Sequence, residues 1–297
     1  MGPEAKVTQL GYLTWSRTVV QGRAASYGHV GSGSPVVFLH GWALGQRAYK
    51  SALRRLALRG MAVLAPALPG FQRTAELPTQ SRSLAGYAQW VADFLDALCV
   101  TEPVLVVGHS FGGGVAIQLA HDHPGRVSSL VLVNSIGGSA WSSSGSVVRS
   151  MAERPLWDWG IHFPADLLPG RQLRRVLPVV LSESVPNLVR SPLTFLKVAD
   201  VARKADLSEE LEELRRRDLP VVVVWGSRDR VITRESVDAL CDALGRERVT
   251  VPGGHVWMLA DPDAFGEVMT NVTAVAAAAG EPSPAAAPRR RAASGPR

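Results

Sequence analysis

The stretch Val104-Leu-Val-Val-Gly-His-Ser-Phe-Gly-Gly-Gly-Val-Ala-Ile-Gln-Leu-Ala120 decides the fold. Val104 to Val107 is an apolar, β-favouring run, and Gly112 to His121 reads as a helix. Between them stands Gly108-His-Ser-Phe-Gly112, a G-x-S-x-G turn. A strand-to-helix turn this tight forces its central residue into a strained conformation. Glycines two residues to either side remove the Cβ clashes that would follow. The turn presents Ser110 at the C-terminal end of a sheet, where ligands bind in such folds.

Outward from this turn, apolar runs alternate with helical patterns. Strands are expected at Val36–Leu39, Met61–Ala65, Leu130–Val133, Val221–Trp225 and Val249–Val251. Helices are expected at Ala48–Leu58, Leu84–Leu98, Ser236–Leu244 and Pro262–Val275. The strands are continuous Val- and Leu-rich runs rather than alternating ones, which marks strands buried on both faces of a parallel sheet. The fold class is therefore α/β, a mostly parallel central sheet flanked by helices. Val7 to Val30 reads as an antiparallel hairpin on the sheet edge.

The interval from Ile136 to Ala205 breaks the rhythm. Its helical pieces are split by Pro155, Pro164, Pro169, Pro178, Pro186 and Pro192. Seventy residues is far beyond an ordinary loop, and this segment is expected to be an inserted helical lid. The organisation is then 1–135 core, 136–205 lid, 206–277 core, and 278–297 a disordered Ala/Pro/Arg tail with little to bury.

Composition excludes several classes. The chain has 297 residues, 46% apolar and 20% charged, a globular balance. No apolar run is long enough for a membrane span, and the first residues do not read as a signal peptide. Half of the net charge of +6 comes from the tail, so nucleic acid is not an expected partner. A small-molecule substrate is. The two cysteines, Cys99 and Cys241, have no metal or disulfide spacing and fit a reducing cytoplasm. No glycine-rich nucleotide fingerprint or zinc spacing is present.

A serine hydroxyl needs a base and an orienting carboxylate to act as a nucleophile, and the order expected here is serine, acid, histidine. Asp229 lies just past the Val221–Trp225 strand and His255 just past the Val249–Val251 strand, both at the edge that carries Ser110. No acidic residue follows the strand ending at Val133. His40-Gly-Trp42 follows Val36–Leu39 directly. The backbone N–H groups of Trp42 and Phe111 form the natural pair for an oxyanion. His40 reads as an anchor for its loop. Trp157 and Trp159 in the lid, with Trp257, suggest the wall of a pocket for an apolar substrate.

Leu39-His-Gly-Trp42, Gly108-His-Ser-Phe-Gly-Gly113, Gly226-Ser-Arg-Asp-Arg230 and Gly253-Gly-His255 together resemble the α/β-hydrolase fold family, over about Val30 to Val272. The branch is the lid-bearing serine hydrolases, near the meta-cleavage-product hydrolases and cofactor-free haloperoxidase-like esterases. The resemblance implies Ser110 as nucleophile, His255 as base, Asp229 as orienter, and Trp42 and Phe111 as oxyanion donors, with no cofactor or metal. The expected reaction is cleavage of a small or medium carboxylic ester through an acyl-enzyme, its largely apolar character suggested by the tryptophans. Carbon–carbon, thioester and lactone hydrolysis remain open on the same triad, as does a non-catalytic ligand-binding protein on the same scaffold. One loop departs from the family. The usual Asp-x-Pro-Gly-x-Gly-x-Ser stands here as Ala67-Leu-Pro-Gly-Phe-Gln-Arg-Thr74.

Overall fold

The computed structural model describes residues 12–138 and 170–280. Within them an eight-stranded sheet has the order β1-β2-β4-β3-β5-β6-β7-β8. The strands are β1 (Thr14–Val20), β2 (Arg23–Val30), β3 (Ser34–Leu39), β4 (Met61–Pro66), β5 (Val104–His109), β6 (Val127–Val133), β7 (Val221–Gly226) and β8 (Arg248–Val251). The hairpin β1–β2 forms one edge and pairs antiparallel, and β4 through β8 run parallel.

The continuous apolar runs have the expected cause. Val37, Leu39, Val106, Leu130, Leu132 and Val223 pack into one core, while Val36, Phe38, Val107, Val131, Val133 and Val224 pack into the other. The first core is covered by α2 (Leu84–Ala97) and α3 (Phe111–Asp122), the second by α1 (Lys50–Ala57). α4 (Gly170–Arg190) and α5 (Pro192–Arg203) follow, then α6 (Ser208–Arg216), α7 (Arg234–Leu244), α8 (Trp257–Ala260) and α9 (Pro262–Gly280). The last runs five residues past Val275. No helix among the described residues is long and apolar enough to cross a membrane.

Two helical readings need correction. Pro178 and Pro186 do not split the chain; both lie inside α4. Each removes one backbone donor, but the helix is held from outside. Val176 and Val180 are buried in the core, and the buried Asn187 donates to the Ala43 carbonyl at 3.2 Å. Pro192 acts as anticipated, opening α5 at its first turn. α6 was not anticipated at all. Six of its nine residues are charged and it buries only Leu211 and Leu214, so its apolar stripe is too sparse to read.

Parallel register sets the site. Leu39 pairs with Gly108, Gly108 with Leu132, and Gly226 with Val251. The C-terminal ends of β3, β5, β6, β7 and β8 therefore share one edge.

Candidate active site

Ser110 sits between β5 and α3 at φ +53°, a left-handed conformation uncommon for a residue with a side chain. Its N–H donates to Val133 O at 3.0 Å, which ties the turn to β6. The flanking glycines are sterically required. A Cβ on Gly108 would lie 2.6 Å from Gly112 O, and one on Gly112 would lie 2.3 Å from Leu39 O.

His255 and Asp229 come to Ser110 from β8 and β7. Ser110 Oγ lies 3.0 Å from His255 Nε2, and His255 Nδ1 lies 2.8 Å from Asp229 Oδ2. All three residues are buried. An ionised carboxylate only accepts, so Nδ1 carries the proton and donates it to Asp229. Nε2 is left to accept from the Ser110 hydroxyl. The Val231 and Ile232 N–H groups donate to Asp229 Oδ1 at 2.8 and 2.9 Å.

Asn134 is the residue that sequence reasoning missed. It occupies the place just past β6 where no acid was found, fully buried and at φ +46°. Its Nδ2 donates to Asp229 Oδ2 at 2.5 Å, the same oxygen that accepts from His255. Its Oδ1 accepts from Gly226 N–H at 3.1 Å. An amide thus joins the ends of β6 and β7 and holds the carboxylate in place. The signal in the sequence was position alone.

Two further histidines build the neighbourhood. Leu68 N–H donates to His40 Nε2 at 2.9 Å, so His40 donates through Nδ1 to Gly41 O, also at 2.9 Å. His109 Nε2 lies 2.9 Å from His255 O, a pure acceptor, so Nε2 carries the proton. Nδ1 then accepts from the Tyr49 hydroxyl at 2.9 Å, and the Tyr49 oxygen accepts from Gly41 N–H at 3.2 Å. One chain of hydrogen bonds links the loop after β3 to the backbone of His255. Burial pushes His40 down to about 4 and His109 to about 3. Both stay neutral at neutral pH.

The loop after β3 comes close to the serine: a Cβ on Gly41 would stand 3.2 Å from Ser110 Cβ. Trp42 follows it. Its indole Nε1 donates to Phe195 O of α5 at 2.8 Å, and the two rings are 4.6 Å apart. Phe111, first residue of α3, points its ring into the core at 5.1 Å from Tyr87. Trp257 is buried against Phe265, ring centroids 6.0 Å apart, and among the described residues its Nε1 has no hydrogen-bond partner. Trp157 and Trp159 lie outside the described residues. Among the described residues no three His, Cys, Asp or Glu side chains are grouped to hold a metal ion.

Residues 36–268 match the alpha/beta hydrolase family, and the chain belongs to it. It is an enzyme of the hydrolase class, the class that the four sequence motifs implied. It is 27% identical to the pimeloyl-acyl-carrier-protein methyl ester esterase of Aromatoleum aromaticum over 263 residues, covering 80% of this chain and 97% of that one. A protein of Mycobacterium phage D29, provisionally named a non-heme haloperoxidase, is 28% identical over 245 residues, 81% of this chain and 87% of its own. The bromoperoxidase structure from Bacillus anthracis superposes with a TM-score of 0.73 at 18% identity, covering 88% of this chain and all of the other (100%).

Proposed function

We propose that the protein hydrolyses a carboxylic ester through a Ser110 acyl-enzyme. The observation that carries this reading is the hydrogen-bonded line from Ser110 Oγ through His255 to Asp229 Oδ2. In the proposed cycle His255 takes the Ser110 proton as Oγ attacks the acyl carbon. It returns that proton to the leaving alcohol, then activates water to release the acid. Asp229 fixes the imidazole tautomer and stabilises the imidazolium. The Trp42 and Phe111 backbone N–H groups hold the oxyanion, the second at the start of α3, where helix donors are free.

The substrate we favour is a small or medium, largely apolar ester. Support comes from the methyl ester esterase relative; in this reading Trp157, Trp159 and Trp257 form the pocket wall. In this reading the segment 136–205 roofs the site. Its described part supplies Phe195, whose carbonyl accepts from the Trp42 indole and whose ring lies tilted against the Trp42 ring. A fluorophosphonate probe tests the mechanism directly. One equivalent is expected on the peptide containing Ser110, with labelling abolished by His255→Ala. Label on another residue, or none on folded protein, would overturn it.

Asn134 enters this reading as a positioning residue for Asp229. Asn134→Leu removes the donor to Oδ2 and the acceptor for Gly226 N–H. It is expected to lower kcat about tenfold, the scale of one lost hydrogen bond to a charged group. The phosphonate labelling rate should fall in parallel. A lowered melting temperature with unchanged labelling and kcat would assign Asn134 to the scaffold alone.

A further inference from the structure

A cleft of about 350 Å³ opens between the edge hairpin β1–β2, the turn before α1, the 67–74 loop and α4. None of Ser110, Asp229 or His255 lines it. Four arginines do, Arg17, Arg47, Arg73 and Arg190, against one acidic residue, Glu183.

This carboxylate is already engaged. Gln72 Nε2 donates to Glu183 Oε2 at 2.6 Å, and burial pushes the Glu183 carboxyl pKa up, against the pull of Arg47. Among the described residues, Arg17, Arg73 and Arg190 have no carboxylate within ion-pair distance. Other arginines on this molecule do: Arg82 reaches Glu76 at 2.8 Å, Arg126 reaches Asp96 at 2.8 Å, and Arg203 reaches Asp200 at 2.6 Å. Like charges gathered on one cleft repel unless an anion joins them.

The cleft is also preorganised. Arg47 lies over the Trp15 ring, 4.6 Å from its centroid. The ring in turn lies on Gly28, where a Cβ would come within 2.6 Å of it. Gln72 and Arg73 take φ of +45° and +67°. They stand in the loop that departs from the family pattern, and Gln72 occupies the place of its second glycine. A conformation costly to both residues sets Gln72 on Glu183 and Arg73 on the cleft.

We propose that this cleft binds a phosphoryl group, independently of the hydrolytic site. Planar guanidinium forks match phosphate oxygens two at a time. The volume suits the charged portion of a small ligand. An anion here would bridge β1, the 67–74 loop and α4, and so fasten α4 to the core.

The phosphoryl group could be carried by a soluble ester or by a lipid headgroup, and two probes separate the sources. Inorganic pyrophosphate is titrated into the full chain by calorimetry, with ionic strength held constant by KCl. Phosphatidylcholine vesicles doped with phosphatidic acid are tested by co-sedimentation. Saturable one-to-one binding of pyrophosphate without vesicle binding assigns a soluble ligand; vesicle binding assigns a headgroup. In either case Arg73→Gln with Arg190→Gln is expected to weaken binding about tenfold or more, and Arg246→Gln, outside the cleft, to leave it unchanged. Phosphonate labelling of Ser110 should be unaffected in all three proteins. Absence of both forms of binding would overturn the proposal. So would equal binding by the wild type and the double variant.

Discussion

Ser110→Ala is expected to lower kcat by about 10³-fold or more and to leave the melting temperature nearly unchanged. The loss follows from the proposed mechanism: without Oγ no acyl-enzyme could form, and only substrate binding and the proposed oxyanion donors would remain. The unchanged stability follows from the backbone. Ser110 holds φ +53°, and alanine has the same Cβ, so the substitution adds no backbone strain at that position. The hydroxyl's one described side-chain bond is to His255 Nε2, and the imidazole stays anchored through Nδ1. Turnover of a short-chain p-nitrophenyl ester and a thermal melt decide the matter together. Retention of most of the turnover would remove Ser110 as nucleophile. A large fall in melting temperature would assign part of the kinetic loss to unfolding.

Acidification is expected to weaken the fold before it titrates most carboxylates. His40 and His109 are both fully buried, with pKa near 4 and 3. Each has its acceptor nitrogen fixed by a partner, Leu68 N–H for His40 and the Tyr49 hydroxyl for His109. In the unfolded chain both return to about 6.5. Stability from the two is therefore complete above about pH 6.5. Below it the unfolded chain binds up to two more protons than the native one, and stability falls by about 1.4 kcal/mol per pH unit for each histidine. The decline ends only when the native pKa values are reached. Urea unfolding at pH 7.5 and 5.5 should show a loss of about 3 kcal/mol. His109→Gln can still donate to His255 O and has no titration, so it should halve the slope. A pH-independent unfolding free energy over this range would show that these two imidazoles are not buried and neutral.

Much of the candidate site's geometry was legible because its parts are local. A strand, a glycine-flanked serine and a helix follow within seventeen residues of sequence. Asp229 and His255 each follow an apolar run, and parallel register carries these ends to a common edge. Other features had no local signature. Asn134 looked like an absence of acid, because its function lies in a contact with a residue ninety-five positions away. Phe195 reaches Trp42 across a separation of 153 residues, and nothing in its own surroundings marks it. Gln72 and Arg73 occupy left-handed backbone without being glycine, so the turn was hidden by its composition. Pro178 and Pro186 read as breaks because propensity describes an isolated helix. α4 is held by side chains buried against the core.

The placement of the three aligned residues has a consequence for how the protein is assembled in time. Ser110 follows β5, Asp229 follows β7 and His255 follows β8, with Asn134 after β6 bracing the acid. No fragment that lacks one of these strands can contain the whole array. Pairings of such long sequence separation form late, because chain entropy must be overcome before they are rewarded. Phosphonate reactivity during refolding is then a clock for completion of the sheet: helical signal should recover first, and nucleophilic serine only when the last parallel strand has docked.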